Sequence, residues 1–413
     1  VVDSVAADRL GEDLDAFVAD VFASLTRSGW QERAGDYLRG LMLDGRRKSI
    51  QPMAARLAGP HEQALNHFVT NSPWAAAAVR ERLAVRMDEA VGPAAWALDD
   101  TGWLKCGTAS VGVARQYTGT AGKVTNCQIG VSLNLVTDSA SCPVDWRLFV
   151  PESWDPATPG TGERRRRAAM PAEAKHQEKW RLGLEMIDEA IGWGIRPPLI
   201  VADAGYGDAA QFRQSLEDRD LAYVVGVNNA HTAFTAEARR TAPPYKGAGR
   251  RPPLIYREAA PSLKTHVLEI GRQAATPVAW RSGSRRRGGR TRTMRGHFVF
   301  LRLRPASLTH RRAADFGDLP LRWLIAEWPP GEPEPTRYWL SNLPENTPKR
   351  RLVHLAKLRW RIEHDYREIK TGLGLDHYEG RTWQGWHHHT TLVSAAHAFL
   401  TLQRLDPKTP APE

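Results

Sequence analysis

Four acidic residues stand where a carboxylate can do chemistry rather than serve only as solvated surface. Asp99 and Asp100 close a short apolar run, Ala94-Ala-Trp-Ala-Leu-Asp-Asp100, and Thr101-Gly102 follows. Asp203 closes a second run, Pro198-Leu-Ile-Val-Ala-Asp203, and opens the turn Ala204-Gly-Tyr-Gly207. Glu363 lies in Arg359-Trp-Arg-Ile-Glu-His-Asp-Tyr-Arg-Glu-Ile-Lys370. Strand ends followed by tight turns are where open α/β sheets place ligands. Carboxylates that converge there repel one another and need a bound cation. An all-oxygen donor set with open positions suits Mg2+ or Mn2+. Two such ions roughly 3.5–4 Å apart stabilise the attacking and the leaving oxygen in phosphodiester hydrolysis. A single one of these acids says less, because Asp at a strand end is often a turn former or a helix cap.

The elements that must position them follow from periodicity. On a helix, Arg359, Glu363 and Lys370 fall within about 40° of one another. Leu355, Leu358, Ile362, Tyr366 and Ile369 form an adjacent apolar stripe. The spacing predicts one helix through this stretch, with a carboxylate between two cations at the border of its buried face. Glu368 points away from that border. An ordinary surface helix with i,i+4 ion pairs carries the same pattern, so the helix alone does not decide. His387-His388-His389 point in three directions on a helix, which argues for a DNA-facing or solvated helix end rather than a metal site. His397, within LVSAAHAFL, reads as a core histidine.

The 413 residues carry a formal net charge of +11, with 42% hydrophobic and 25% charged residues. That is ordinary globular composition with a basic balance suited to a polyanionic partner. Arg164 to Arg167 form one block, and Arg281, Arg285, Arg286, Arg287, Arg290, Arg292 and Arg295 another. Arg suits bidentate phosphate contacts. No run of about eighteen apolar residues occurs, so no membrane span is expected. The acidic start lacks a signal pattern, and Cys106, Cys127 and Cys142 form no CxxC pair. Both points fit a reducing cytoplasm, with each cysteine a small buried hydrophobe.

Residues 1–90 read as a helical domain for DNA binding or dimerisation. An α/β part follows over 91–228, in the order β-β-β-α-β-α-β. Its strands are 94–100, 124–138, 143–151, 198–203 and 221–227, and its helices 174–193 and 208–217. This is not the strict alternation of a Rossmann chain, and no GxGxxG follows the first strand. Over 229–335 Pro, Gly and Arg become dense, and short strand-like pieces, SLKTHVLEI among them, predict a β-rich insertion. The α/β part resumes over 336–404 with the Glu363 helix, and 405–413 reads as a disordered tail.

With these motifs in order, the chain resembles a cut-and-paste DDE transposase of the bacterial insertion-sequence type. One branch of that family carries a Y-(2)-R-(3)-E-(6)-K signature, matched by Arg359, Glu363 and Lys370, with Ala356 at the Tyr position. Asp100-Thr101 matches the first motif and Asp203-Ala-Gly-Tyr206 the second. The resemblance covers about 90–400. It implies a ribonuclease-H-like mixed sheet flanked by helices, with a β-rich insertion before the catalytic Glu helix. It implies Asp100 bridging two Mg2+ (or Mn2+) ions, with Asp203 and Glu363 each completing one site. Asp99 is the alternative to Asp100. Arg359, Lys370, Arg367 and the Arg285, Arg286, Arg287 and Arg290 block would contact DNA, and Trp339 would stack on a flipped base unless it is strand core. The partners implied are double-stranded DNA, as transposon ends and target, and a second copy in the synaptic complex. A nuclease that cuts without joining, or a non-catalytic DNA-binding descendant, is the competing reading.

Overall fold

The computed structural model describes residues 4–406 other than 28, 58, 60, 61, 246, 248, 250, 251, 286–290 and 308–316, with backbone only at 4–7, 282–285, 291 and 292. Most of the expected tail therefore lies outside the described residues. The chain forms two compact units, Val1–Pro197 with Trp360–Glu413, and Pro198–Arg359.

In the first unit, helices α1 (Ser4–Val21), α2 (Trp30–Met42), α3 (Ile50–Ala54), α4 (Glu62–Thr70) and α5 (Ala76–Val91) precede the sheet. Their apolar stripes, such as Phe17 and Val21, Leu38 and Leu41, Leu65 and Phe68, and Leu83 and Met87, are buried. Helices α1, α2, α4 and α5 pack around the last helix, α13 (Trp383–Leu405), which is buried on nearly every side. A helix covered all round needs no polar face, which explains the run LVSAAHAFL.

Strand β1 (Ala95–Leu104) pairs antiparallel with β3 (Lys123–Val136), which also pairs with β2 (Ala114–Thr118) and β4 (Ser141–Leu148). Helices α6 (Gly162–Arg167), α7 (Lys179–Gly192) and α12 (Trp360–Leu373) complete this unit. The early meander thus has one strand more than expected. The β2 segment is short and partly exposed, so alternation there carried no apolar signal.

In the second unit, β5 (Ile200–Ala202) runs parallel to β6 (Tyr223–Val227), with α8 (Ala204–Gly207) and α9 (Ala210–Asp218) between them. Antiparallel pairing continues from β6 through β13 (Arg337–Ser341), β12 (Arg322–Glu327), β11 (Thr291–Pro305) and β10 (Thr276–Arg285). Strand β7 (Ala233–Thr235) joins β11, and β8 (Arg240–Thr241) pairs with β9 (Ile255–Tyr256). The segment SLKTHVLEI is not a strand but the helix α10 (Leu263–Ile270), started by the Ser262 hydroxyl, which accepts from Thr265 N at 3.0 Å. An N-cap of this kind satisfies a first-turn N–H and outweighs the β-branched content.

The single helix expected through 355–370 is two. Helix α11 (Lys349–Leu358) ends at Arg359, and α12 begins at Trp360. Arg359 keeps helical dihedrals but sits at the junction, in a different unit from Glu363 and Lys370.

Candidate active site

Register assigns the two acids of β1 to opposite faces. Asp99 faces Ser132 across the ladder, and Ser132 Oγ lies 2.6 Å from the Tyr366 hydroxyl of α12. Asp100 faces Val131, one residue out of phase, and so points with Leu98 toward α7. Leu98 fits there because Gly183 of α7 has no side chain; a Cβ would meet Leu98 Cδ1 at 2.7 Å. Asp99 is buried, and its Oδ1 accepts from Asp100 N at 2.8 Å. The Asp100 side chain is 25% exposed, and its Oδ2 accepts from Lys179 Nζ at 2.9 Å. Lys179 opens α7, where the helix dipole disfavours a cation, so the carboxylate compensates it.

Helix α12 lies on the Asp99 side. Ile362, Tyr366 and Ile369 are buried, and Glu363, in the first turn, is exposed. Lys370 turns back to the strand that carries Asp100. Its Nζ donates to the Gly102 carbonyl at 2.7 Å and to Thr120 Oγ1 at 2.9 Å. Burial lowers its pKa from the ordinary 10.5 to about 8. Asp100, Lys370 and Glu363 thus belong to two packed elements of one unit.

Asp203 belongs to the second unit. It ends β5 and caps α8, its Oδ1 accepting from Gly205 N at 2.9 Å. The glycines of this turn bring backbone against backbone: a Cβ on Gly207 would overlap the Gly226 carbonyl of β6.

Other candidates fall differently. Arg367 is exposed on α12. Arg286, Arg287 and Arg290 lie outside the described residues, and Arg285 is described only as the backbone end of β10. Trp339 is buried in β13, with Lys357 Nζ 5.3 Å from its ring centre. That Lys357 also lies 5.6 Å over Trp280 and 5.7 Å over Phe298 and pairs with Glu327 at 2.5 Å. The strand-core reading of Trp339 is the one its burial supports. Ala356 is buried on α11.

Several expectations are corrected. Arg165 is buried and donates to the carbonyls of Trp154, Pro171 and Ala174, so it braces loops. Arg164 lies over the Trp154 ring, while Arg166 and Arg167 pair with Glu163. The three histidines are no solvated helix end. His387 Nδ1 lies 2.9 Å from the Trp383 carbonyl, His388 stacks on Trp74 at 3.6 Å, and His389 lies between Tyr37 Oη and the Leu375 carbonyl. Three directions all meet protein because α13 is central. Cys106 is exposed, whereas Cys127 and Cys142 are buried.

One acidic group was not anticipated. Among the described residues, His364, Asp365 and Glu368 of α12 have ligand atoms within 4.8 Å of one another. Arg404 clamps Glu368, the Ser141 hydroxyl donates to Asp365, and Arg361 Nε lies 3.5 Å from Asp365 Oδ1. Burial raises the Asp365 pKa to about 7. Two arginines already balance this group, so it is furnished as an ion-pair network.

Comparison with known proteins agrees with this architecture. Residues 20–287 match the family described as DDE superfamily endonuclease, and residues 179–399 match the transposase DDE domain. The chain belongs to the DDE superfamily, in its transposase branch. Its mixed α/β structure is the ribonuclease-H-like fold of that family. A Microchaete diplosiphon protein named as a probable transposase for insertion sequence element IS701 is 27% identical over 195 residues. That match covers 46% of this chain and 47% of the relative, so the chain spans about half the length of the curated relative it matches. The superfamily works with divalent metal ions. Among the described residues no helix is long and apolar enough to cross a membrane.

Proposed function

We propose that this chain is a DNA transposase of an insertion sequence. It binds the terminal inverted repeats, hydrolyses DNA at the transposon ends and joins the freed 3′-OH to target DNA, in the cytoplasm of a bacterium and as a dimer when two ends are paired. The observation that carries the reading is the order of acids within the family matches. The endonuclease match spans Asp100 and Asp203, and the transposase match spans Asp203 and Glu363.

A hard cation fits the residues of the first unit. Glu363 is exposed, and the Asp100 carboxylate is solvent-accessible, with Lys179 as the counter-charge that a metal ion would replace. Oxygen donors of this kind suit Mg2+ or Mn2+. Asp203 and Glu363, together with Asp99, on the β1 face that α12 covers, or Asp100, on the α7 face, would hold the ions, which would supply charge neutralisation at the phosphate being cut. Arg359 and Arg367 would bind phosphates beside it. Lys370, expected beside Arg359 on DNA phosphate, bonds the Gly102 carbonyl and Thr120 in this structure, a hold of α12 on β1 that would position Glu363.

The test is Glu363→Gln, which keeps the size and removes the charge. Mg2+-dependent cleavage of transposon-end DNA should be lost, because the charge that holds the ion is gone, with binding of the same DNA near wild type. Retained cleavage would sink the assignment of Glu363. Pre-cleaved ends supplied with a target plasmid should give joined products; an enzyme that cuts and never joins is a nuclease instead.

A further inference from the structure

The strand that carries Asp100 runs on into a second feature. Where β1 ends, a cavity of about 540 Å³ opens within the first unit. Its lining includes Arg46, Arg47, Lys105 and Arg381 against Asp376 and Glu379, four cations to two carboxylates. The segments that bring these cations together are tied by hydrogen bonds to backbone groups. The Arg47 carbonyl accepts from Arg56 Nη2 at 2.9 Å, and Lys48 N donates to His377 Nδ1 at 3.1 Å. Asn126 Nδ2 donates to the carbonyls of Lys105 and Gly107 at 2.7 and 2.9 Å, and Val111 N donates to the Arg381 carbonyl at 3.1 Å. Lys105 itself donates to the Tyr378 carbonyl at 2.5 Å. A cationic hollow with fixed walls is preorganised for an anion, and guanidinium groups match phosphate in two-point contacts.

We propose that this cavity is a subsite for the DNA backbone. It takes phosphates of the same duplex that is cut at Asp100. Lys105 follows Asp100 by five residues, which at about 3.4 Å per residue is roughly 17 Å along the strand. Lys370, bonded at Gly102, lies between the two points on β1. This assignment rests on the transposase reading and adds to it a second hold on the duplex.

The experiment uses the full chain without divalent metal and follows binding of a labelled transposon-end duplex from about 50 to 200 mM salt. Each phosphate that the protein no longer neutralises should lower the slope of log K against log salt by about 0.9. The triple variant Arg46→Ala, Arg47→Ala, Arg381→Ala should therefore have a slope shallower by about 2–3 units. Glu379 pairs with Arg47 at 3.3 Å, and both are exposed. Glu379→Gln should tighten binding by about twofold or more, a gain that a misfolded protein cannot produce. Neutral methylphosphonate linkages, placed one at a time along the duplex, should weaken wild type at the phosphates held here and leave the triple variant unchanged at those same positions. An unchanged slope in the triple variant, or wild-type affinity in Glu379→Gln, overturns the subsite. So does a thermal shift with inorganic phosphate that the triple variant loses while its duplex slope is unchanged, which would assign a small free anion. If wild type itself shows no salt-dependent duplex binding, it is the transposase reading that fails.

Discussion

Asp99 and Asp100 are adjacent, chemically identical and differently placed. The Asp99 carboxylate is buried and accepts the N–H of its neighbour. The Asp100 carboxylate is accessible and faces Lys179. Asp100→Asn should therefore abolish cleavage with little change in melting temperature. Asp99→Ala leaves a backbone N–H without its acceptor and should cost about 1–3 kcal/mol, read as a lower melting temperature. If Asp99→Asn stops cleavage in a normally folded protein while Asp100→Asn still cuts, the two roles are exchanged. Alternation along β1 distinguishes the two faces. The covering of each face by α12 or α7 decides what each acid meets.

Helix α13 shows what happens when a polar sequence is placed at the centre. Burial drives His388, His389 and His397 down from 6.5 to about 4, and holds His387 well below 6.5. His388 has a carbonyl opposite each nitrogen, those of Val69 and Trp74, and as a neutral ring can donate to only one. Neither nitrogen of His397 has a hydrogen-bond partner among the described residues. The unfolded chain binds these protons near pH 6.5 and the folded chain only near pH 4. Between those values the unfolded state holds more protons, so stability falls as pH falls through that window and is complete above it. His397→Leu should flatten the dependence of melting temperature on pH between about 6.5 and 4. At neutral pH it should leave stability equal or higher, since an orphaned polar group is removed. A wild-type slope in that variant would refute the account. The break between α11 and α12 is the other lesson at this scale. The apolar stripe continues through Arg359 although the helix does not, and periodicity records the stripe alone.

At the scale of the molecule, residues 1–90 share a unit with β1–β4 and the last two helices. A buried charge network helps to explain it. Asp145 of β4, fully buried, lies 3.1 Å from Arg80 of α5 and 2.8 Å from Arg147, which also pairs with Glu189 of α7. Removing one partner of a buried pair leaves an uncompensated charge, at a cost of about 3–5 kcal/mol. Asp145→Ala should lower the urea midpoint accordingly, and an unchanged midpoint would show that water takes the place of the carboxylate. None of these four residues drew notice in the sequence, because nothing in their spacing links them. The Arg164–Arg167 block misled for the same reason: a run of arginines reads as surface until Arg165 is seen to hold three loop carbonyls.

The sequence by itself determined the local features: the strands that end at Asp100 and Asp203, the helical face bearing Glu363 and Lys370, and the order of these motifs. Apolar period, turn glycines and helix spacing are properties of neighbours in the chain, so they can be read from it. Only the tertiary structure decided which acid of the first pair is open, which lysines and histidines are buried, and which cations share a cavity. Those outcomes depend on partners far away in sequence, as His389 depends on Tyr37 and Lys105 on Tyr378. Burial is set by what packs on a side chain, and no spacing rule records that.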